Sequence, residues 1–234
     1  MSNAHPTSNQ ENTSLSSPAQ ADIKDTHQGE RLPISRFALF FSLLAIGLAF
    51  DLWTKTYAFS NFFDPETYGK QPQAVHWWVD GVFGLQTSTN PGALFGMGKG
   101  LSWLFALLSF VALSGIILWL FVWKAARDRW ITFALGLISG GILGNLYDRV
   151  GLGYVESWDL PGIRTDVRDW ILFRLDGVPM FDPWPNFNIA DSLLVTGAIM
   201  LMIHALFAPM DDGNNDDDSS GKEPDAADAS DSSD

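Results

Sequence analysis

A few acids and amides carry whatever chemistry this chain performs. Asp191 closes the stretch Phe187-Asn188-Ile189-Ala190-Asp191, and from Ser192 to Met210 the chain then carries no formal charge. An ionisable group at the mouth of an apolar span is costly there and marks function. A second mouth lies earlier, where Asn145, Asp148 and Arg149 end the run that begins at Gly140. Asp169, in Val167-Arg168-Asp169-Trp170, falls in the loop joining the two. The chain has no cysteine, which excludes thiol catalysis, disulfides and cysteine-ligated metal. His5, His27, His76 and His204 are scattered without ligand spacing, so no metal and no other cofactor is expected. Carboxylates are left to do acid-base work. Two brought close cannot both ionise easily, and such a pair can take a proton from water and give one to a leaving nitrogen. Asp169 and Asp191 are expected to meet at the membrane surface with a water between them.

Those acids need elements to hold them. Four apolar runs, at about 37–59, 101–123, 130–147 and 192–210, are close to the ~20 residues that cross a hydrocarbon core of about 30 Å. The first is interrupted by Asp51 and Lys55, which share a helix face at this spacing and are expected to pair. In the third, Gly136, Gly140 and Gly144 recur every fourth residue, giving one smooth face for a close helix neighbour. Lys124, Arg127 and Arg129 crowd the short turn between the second and third spans. The positive-inside rule then puts both termini in the cytoplasm and the loops 60–100 and 150–188 outside. In the first of these loops, His76 to Thr87 is aromatic and β-branched and broken at Asp80-Gly81, a hairpin signal. The expected fold is an α-helical integral membrane protein of four transmembrane helices with a small extracytoplasmic β-rich subdomain. It occupies 35–208, between a disordered polar arm at 1–34 and a disordered acidic tail at 209–234. From Asp211 onward ten acids face only Lys222, so the net charge of −13 mostly describes that tail. No phosphate loop, dinucleotide fingerprint or basic-aromatic interleaving is present, and no nucleic-acid partner is expected.

Four polar clusters now share the outer side: Asp51 with Lys55; Asn90; Asn145 with Asp148 and Arg149; and Asp169 with Asn188 and Asp191. Convergence of this kind favours a site. Asp148 is expected to pair with a neighbouring base such as Arg149 at its helix end.

The blocks Asp51-Leu52-Trp53-Thr54-Lys55, Asn90-Pro91-Gly92-Ala93-Leu94-Phe95-Gly96, Gly140 to Arg149 and Phe187 to Ser192, in this order between four spans, resemble lipoprotein signal peptidase, or signal peptidase II. The resemblance covers roughly Phe37 to Phe207. It implies a bacterial inner-membrane aspartic endopeptidase that removes the signal peptide from diacylglyceryl-modified prolipoproteins, cutting just before the lipidated cysteine. It implies that Asp169 and Asp191 are catalytic, and that Asn90, Asn145, Arg149 and Asn188 hold the substrate and orient the acids. Asp51, Lys55 and Asp148 support them. Water is the nucleophile, no cofactor is required, and the partners are the lipid-modified precursor and membrane lipid, with the enzyme a monomer. Two features depart from the family pattern: the segment between Arg149 and Asp169 is longer, and Arg168 stands where an apolar residue is usual. Asp148, Asp159 and Asp166 are therefore alternatives to Asp169. A small transporter and a relative that binds lipidated precursors without cutting them are the other readings.

Overall fold

The computed structural model describes residues 32–92, 98, 100–179, 182 and 184–207. Almost all of the polar arm, the acidic tail and the end of the Asn90–Gly96 block lie outside the described residues.

Helix α1 runs Ile34–Phe62, α2 Ser102–Ile117, α3 Arg129–Arg149 and α4 Ile189–Phe207. A π-helical turn, Leu118–Val122, prolongs α2, and with it these four are long and apolar enough to cross a membrane. Helix α1 extends past the expected run at both ends, because polar Ser60 and Asn61 add no helix breaker. Helix α4 starts three residues before the expected apolar stretch, since its first turn is set by polar caps rather than by hydropathy; 208–210 lie outside the described residues. Asp128 opens α3 by accepting the backbone N–H groups of Trp130 at 2.6 Å and Ile131 at 3.2 Å.

The glycine face of α3 packs on α1. A side chain at Gly136 would press on Leu43, and one at Gly140 on the Leu44 carbonyl and the Gly47 backbone. On the neighbouring face of α3, Gly141 lies under the Ala190 carbonyl of α4, while Gly197 of α4 approaches Ala134 and Ile138. Close backbone approach of this kind compensates for the absence of a hydrophobic driving force between helices in lipid. At the Arg129 end of the bundle, Phe121 stacks on Phe37 at 4.3 Å and meets Phe40 edge-on at 5.4 Å, locking the π turn to α1.

The other end carries a three-stranded antiparallel sheet: β1 His76–Val79, β2 Phe83–Asn90 and β3 Val167–Phe173, with β2 central. The hairpin turns at Asp80-Gly81 as its sequence predicts, Gly81 taking φ 72°. The third strand corrects the loop expected around Asp169. Val167 to Leu172 is buried throughout, and pairs with β2 as Ser88↔Asp169 and Asn90↔Val167. Leu85, Trp170 and Ile171 pack with Ala58 and Phe59 of α1, so the sheet sits on the end of α1. The β3–α4 connection returns along β3, where Phe187 and Ile171 exchange backbone hydrogen bonds at 2.9 and 3.1 Å.

Candidate active site

Where α4 begins, two polar side chains replace the missing helical turn. Asn188 Oδ1 accepts the Asp191 N–H at 3.0 Å, and Asp191 Oδ2 accepts the Asn188 N–H at 3.1 Å, a reciprocal capping box. The Asp51 carboxylate, from α1, accepts the next orphan donor, the Ala190 N–H, at 2.8 Å. The chain direction at Asp191 is therefore fixed from two sides.

Asn188 also reaches the second acid. Its Nδ2 donates to Asp169 Oδ1 at 2.7 Å and to Asn145 Oδ1 at 3.1 Å. Asn145 Nδ2 in turn donates to Asp191 Oδ1 at 2.8 Å. One amide thus touches both candidate acids, and each Asp191 oxygen accepts an N–H. The Asp169 carboxyl titrates well above the ordinary carboxylate range, first because it is buried, then because the Asp191 charge lies close; Lys55 and hydrogen bonds from Asn188 and Asn90 oppose the rise.

Asp169 and Asp191 line one cleft of about 560 Å³, together with Asn90, Asn145 and Arg149. Val167, Trp184 and Phe187 form one wall, and Leu194 and Val195 carry the cleft along α4. Arg149 crosses above the Phe105 ring at 4.7 Å and donates Nη2 to the Gly92 carbonyl at 2.7 Å. Asn90 Oδ1 accepts the Gly92 N–H at 3.0 Å, shaping the turn that receives the arginine.

Behind the cleft lies a buried layer of charge. Lys55 Nζ meets Asp51 at 2.8 Å, Asp148 at 3.1 Å, Asn145 Oδ1 at 3.0 Å and the Gly144 carbonyl at 3.3 Å. The expected Asp51–Lys55 pair is present, and both residues are fully buried. Asp148 does not pair with Arg149 as expected; its partners are Lys55 and Arg168, whose Nη2 lies 2.9 Å away. Consecutive helical residues point about 100° apart, so Asp148 turns inward while Arg149 turns to the cleft.

All nine sequence-selected residues gather at this end, in two layers. Asn90, Asn145, Arg149, Asp169 and Asp191 line the cleft, whereas Asp51, Lys55, Asp148 and Asn188 are buried behind it. The alternative acids do not reach the cleft. Asp159 is exposed, Asp166 accepts the Thr89 hydroxyl at 3.1 Å, and Asp148 is held by its two cations. Sequence reasoning missed the Trp184–Phe187 wall, which has no spacing signature. It also missed the partnership of Arg168 with Asp148.

The family model described as signal peptidase (SPase) II matches residues 43–207. The chain belongs to the signal peptidase II family. A lipoprotein signal peptidase of Rhodopirellula baltica is 49% identical over 182 residues, covering 76% of each chain. Lipoprotein signal peptidases of Rhodococcus jostii and Geobacillus thermodenitrificans are each 32% identical, over 76% and 74% of this chain and 77% and 92% of their own. A bacterial membrane enzyme solved by the in meso method shares the fold at a TM-score of 0.54, with 23% identity, over 82% of this chain and 98% of that one. Membership in the signal peptidase II family makes this chain a peptidase, and with its four spans a multi-pass inner-membrane protein.

Proposed function

We propose that this chain is an aspartic endopeptidase that cleaves lipid-modified prolipoproteins just before the lipidated cysteine, with Asp169 and Asp191 as the catalytic pair. The observation that carries the reading is the single amide of Asn188, bonded to Asp169 and capped on Asp191 at the head of a cleft with an apolar flank. The substrate class follows from the lipoprotein signal peptidases it resembles.

Asp191, whose two oxygens accept N–H groups, takes a proton from water as the water oxygen bonds to the scissile carbonyl carbon. Asp169, kept protonated by burial, gives its proton to the carbonyl oxygen. The tetrahedral intermediate then collapses: one of its two hydroxyls returns a proton to Asp169 as the carbonyl reforms, the C–N bond breaks, and the proton held on Asp191 passes to the departing nitrogen. Asn90, Asn145 and Arg149, with N–H donors at the cleft, hold the peptide backbone. The acyl chains remain in lipid beside Leu194 and Val195 while the peptide enters laterally.

The cleft lies at the end opposite the Lys124, Arg127 and Arg129 cluster, which supports an outer-face site with both termini cytoplasmic. Since the chain has no cysteine, Asp80→Cys and Arg127→Cys test this directly: an impermeant thiol reagent labels the first in intact cells and not the second.

The decisive assay gives the purified protein a lipidated precursor in detergent, beside Asp169→Asn and Asp191→Asn. Cleavage by the parent, lost about 10³-fold or more in each variant, is expected. Precursor bound but uncut by the parent would overturn the reading, as would normal cutting by either variant.

A further inference from the structure

Arg168 and Asp169 are neighbours on β3, where successive side chains point to opposite faces. Asp169 faces Asn188 and the cleft. Arg168 faces the last turn of α3, and both residues are buried. The Arg168 backbone N–H donates to Asp148 Oδ2 at 3.1 Å, while Nε and Nη2 both reach Asp148 Oδ1 at 2.9 Å. This three-point hold is a fork a lysine cannot reproduce. Gly153 passes close against it, where a side chain would press on Asp148 and Arg168.

Asp148 Oδ2 is also 3.1 Å from Lys55 Nζ. Lys55 is a cation that holds the Asp169 titration down, against burial and Asp191. The charged groups around this region are Asp51 and Lys55 from α1, Asp148 and Arg149 from α3, Asp191 from α4, Asp166 just before β3, and Arg168 and Asp169 from β3. β2 contributes only neutral Ser88, Thr89 and Asn90 opposite them. Within the buried layer Asp51 and Asp148 balance Lys55 and Arg168.

We propose that Arg168 is a positioning residue for the acid pair: it neutralises Asp148, so that the field of Lys55 reaches Asp169, and its fork anchors β3 at the register that presents Asp169 to the cleft. This rests on Asp169 and Asp191 being the catalytic pair. Without Arg168, Asp51 and Asp148 face Lys55 alone, and one unbalanced negative charge stays buried behind two carboxyls that must share one proton.

The test is the pH dependence of kcat on a lipidated precursor in detergent, with thermal unfolding alongside, for the parent and five variants. Arg168→Leu is expected to lower kcat about tenfold and move the whole profile up by about one pH unit. Arg168→Leu/Asp148→Asn, which removes one charge of each sign, returns the profile to the parent position. Arg168→Lys keeps the profile but loses rate. Asp148→Asn alone leaves an excess cation and moves the profile down, which keeps the proposal testable if Arg168→Leu does not fold. An Arg168→Leu profile unmoved despite a lower melting temperature would assign Arg168 a purely structural role and overturn the proposal, as would an unmoved Asp148→Asn. Asp169→Asn separates the two levels: if it cuts normally, the catalytic pair itself is wrong, whereas if it is inert and the other profiles do not move, only the role of Arg168 falls.

Discussion

Asn188 and Asp191 cap one another across the first turn of α4, at 3.0 and 3.1 Å, while the same Asn188 side chain holds Asp169 at 2.7 Å. Helix initiation and the spacing of the two acids thus depend on one residue. Asn188→Ala removes the cap, worth about 1 kcal/mol, and takes the Nδ2 donor from Asp169 and from Asn145 Oδ1, which keep only Asn90 and Lys55, costing about 1–3 kcal/mol more. In a precursor-cleavage assay kcat is expected to fall about 100-fold with KM little changed, because the acids lose their relative placement and the cleft does not. Asn188→Asp restores the cap acceptor but sets a third carboxyl against Asp169. Recovery of kcat in that variant would show that the amide donor to Asp169 is dispensable.

The buried carboxyl of Asp169 carries a stability cost with a definite sign. Its titration is raised on folding, so between its unfolded and folded values the native state holds more protons than the unfolded chain. Stability therefore falls as pH rises through that window, and the cost is absent below the unfolded value. Asp169→Asn, which cannot ionise, is expected to melt higher than the parent above the window and to converge with it at acid pH. Melting curves in detergent across that range read this directly, and a constant difference at every pH contradicts it. The same titration removes the acid form as pH rises, so cleavage declines on the alkaline side.

Gly144 sits where α1, α3 and α4 converge. A β-carbon there would meet the Asp51 carboxylate and lie 3.1 Å from the Ala190 side chain. Asp51 cannot withdraw, since it is tied to Lys55 at 2.8 Å and to the Ala190 N–H at 2.8 Å. Gly144→Val is expected to cost about 2–3 kcal/mol through overpacking and to displace the α4 cap, lowering both melting temperature and cleavage. Gly115→Val, at a position with open space around it, serves as control and loses far less.

What the sequence makes legible follows from what lipid demands. A spanning helix needs an unbroken apolar run, so four spans stand out, and the polar residues left at their ends stand out with them. Asp51 and Lys55 are readable as a pair because one helix turn joins them. β3 is hidden because it is buried on both faces, so Trp170, Ile171 and Leu172 follow one another without alternation. Its run of Val167, Trp170, Ile171 and Phe173 was the available strand signal. Asp148 offers its nearest base in sequence, Arg149, yet finds its partners on α1 and β3, because helical geometry turns adjacent residues apart. Arg168 looks like a departure from the family pattern until the Asp148 carboxylate is seen beside it.

Arg149 supplies the last prediction. It lines the cleft, and Nη2 is committed to the Gly92 carbonyl at 2.7 Å. Nη1 is buried with no hydrogen-bond partner among the described residues. An unpaired buried donor costs about 1–3 kcal/mol, and a peptide carbonyl entering the cleft relieves that cost. Arg149→Lys keeps the charge but offers one compact ammonium in place of a fork. It can serve the Gly92 carbonyl or the substrate, not both. KM for the lipidated precursor is expected to rise about tenfold, with kcat within about threefold of the parent. Arg149→Leu loses the charge as well, and with it a cation that acts on both Asp169 and Asp191. Its pH profile should move up, whereas that of Arg149→Lys should not. Steady-state kinetics of the two variants across pH separate these roles, and an unchanged KM in both would remove Arg149 from the substrate-holding set.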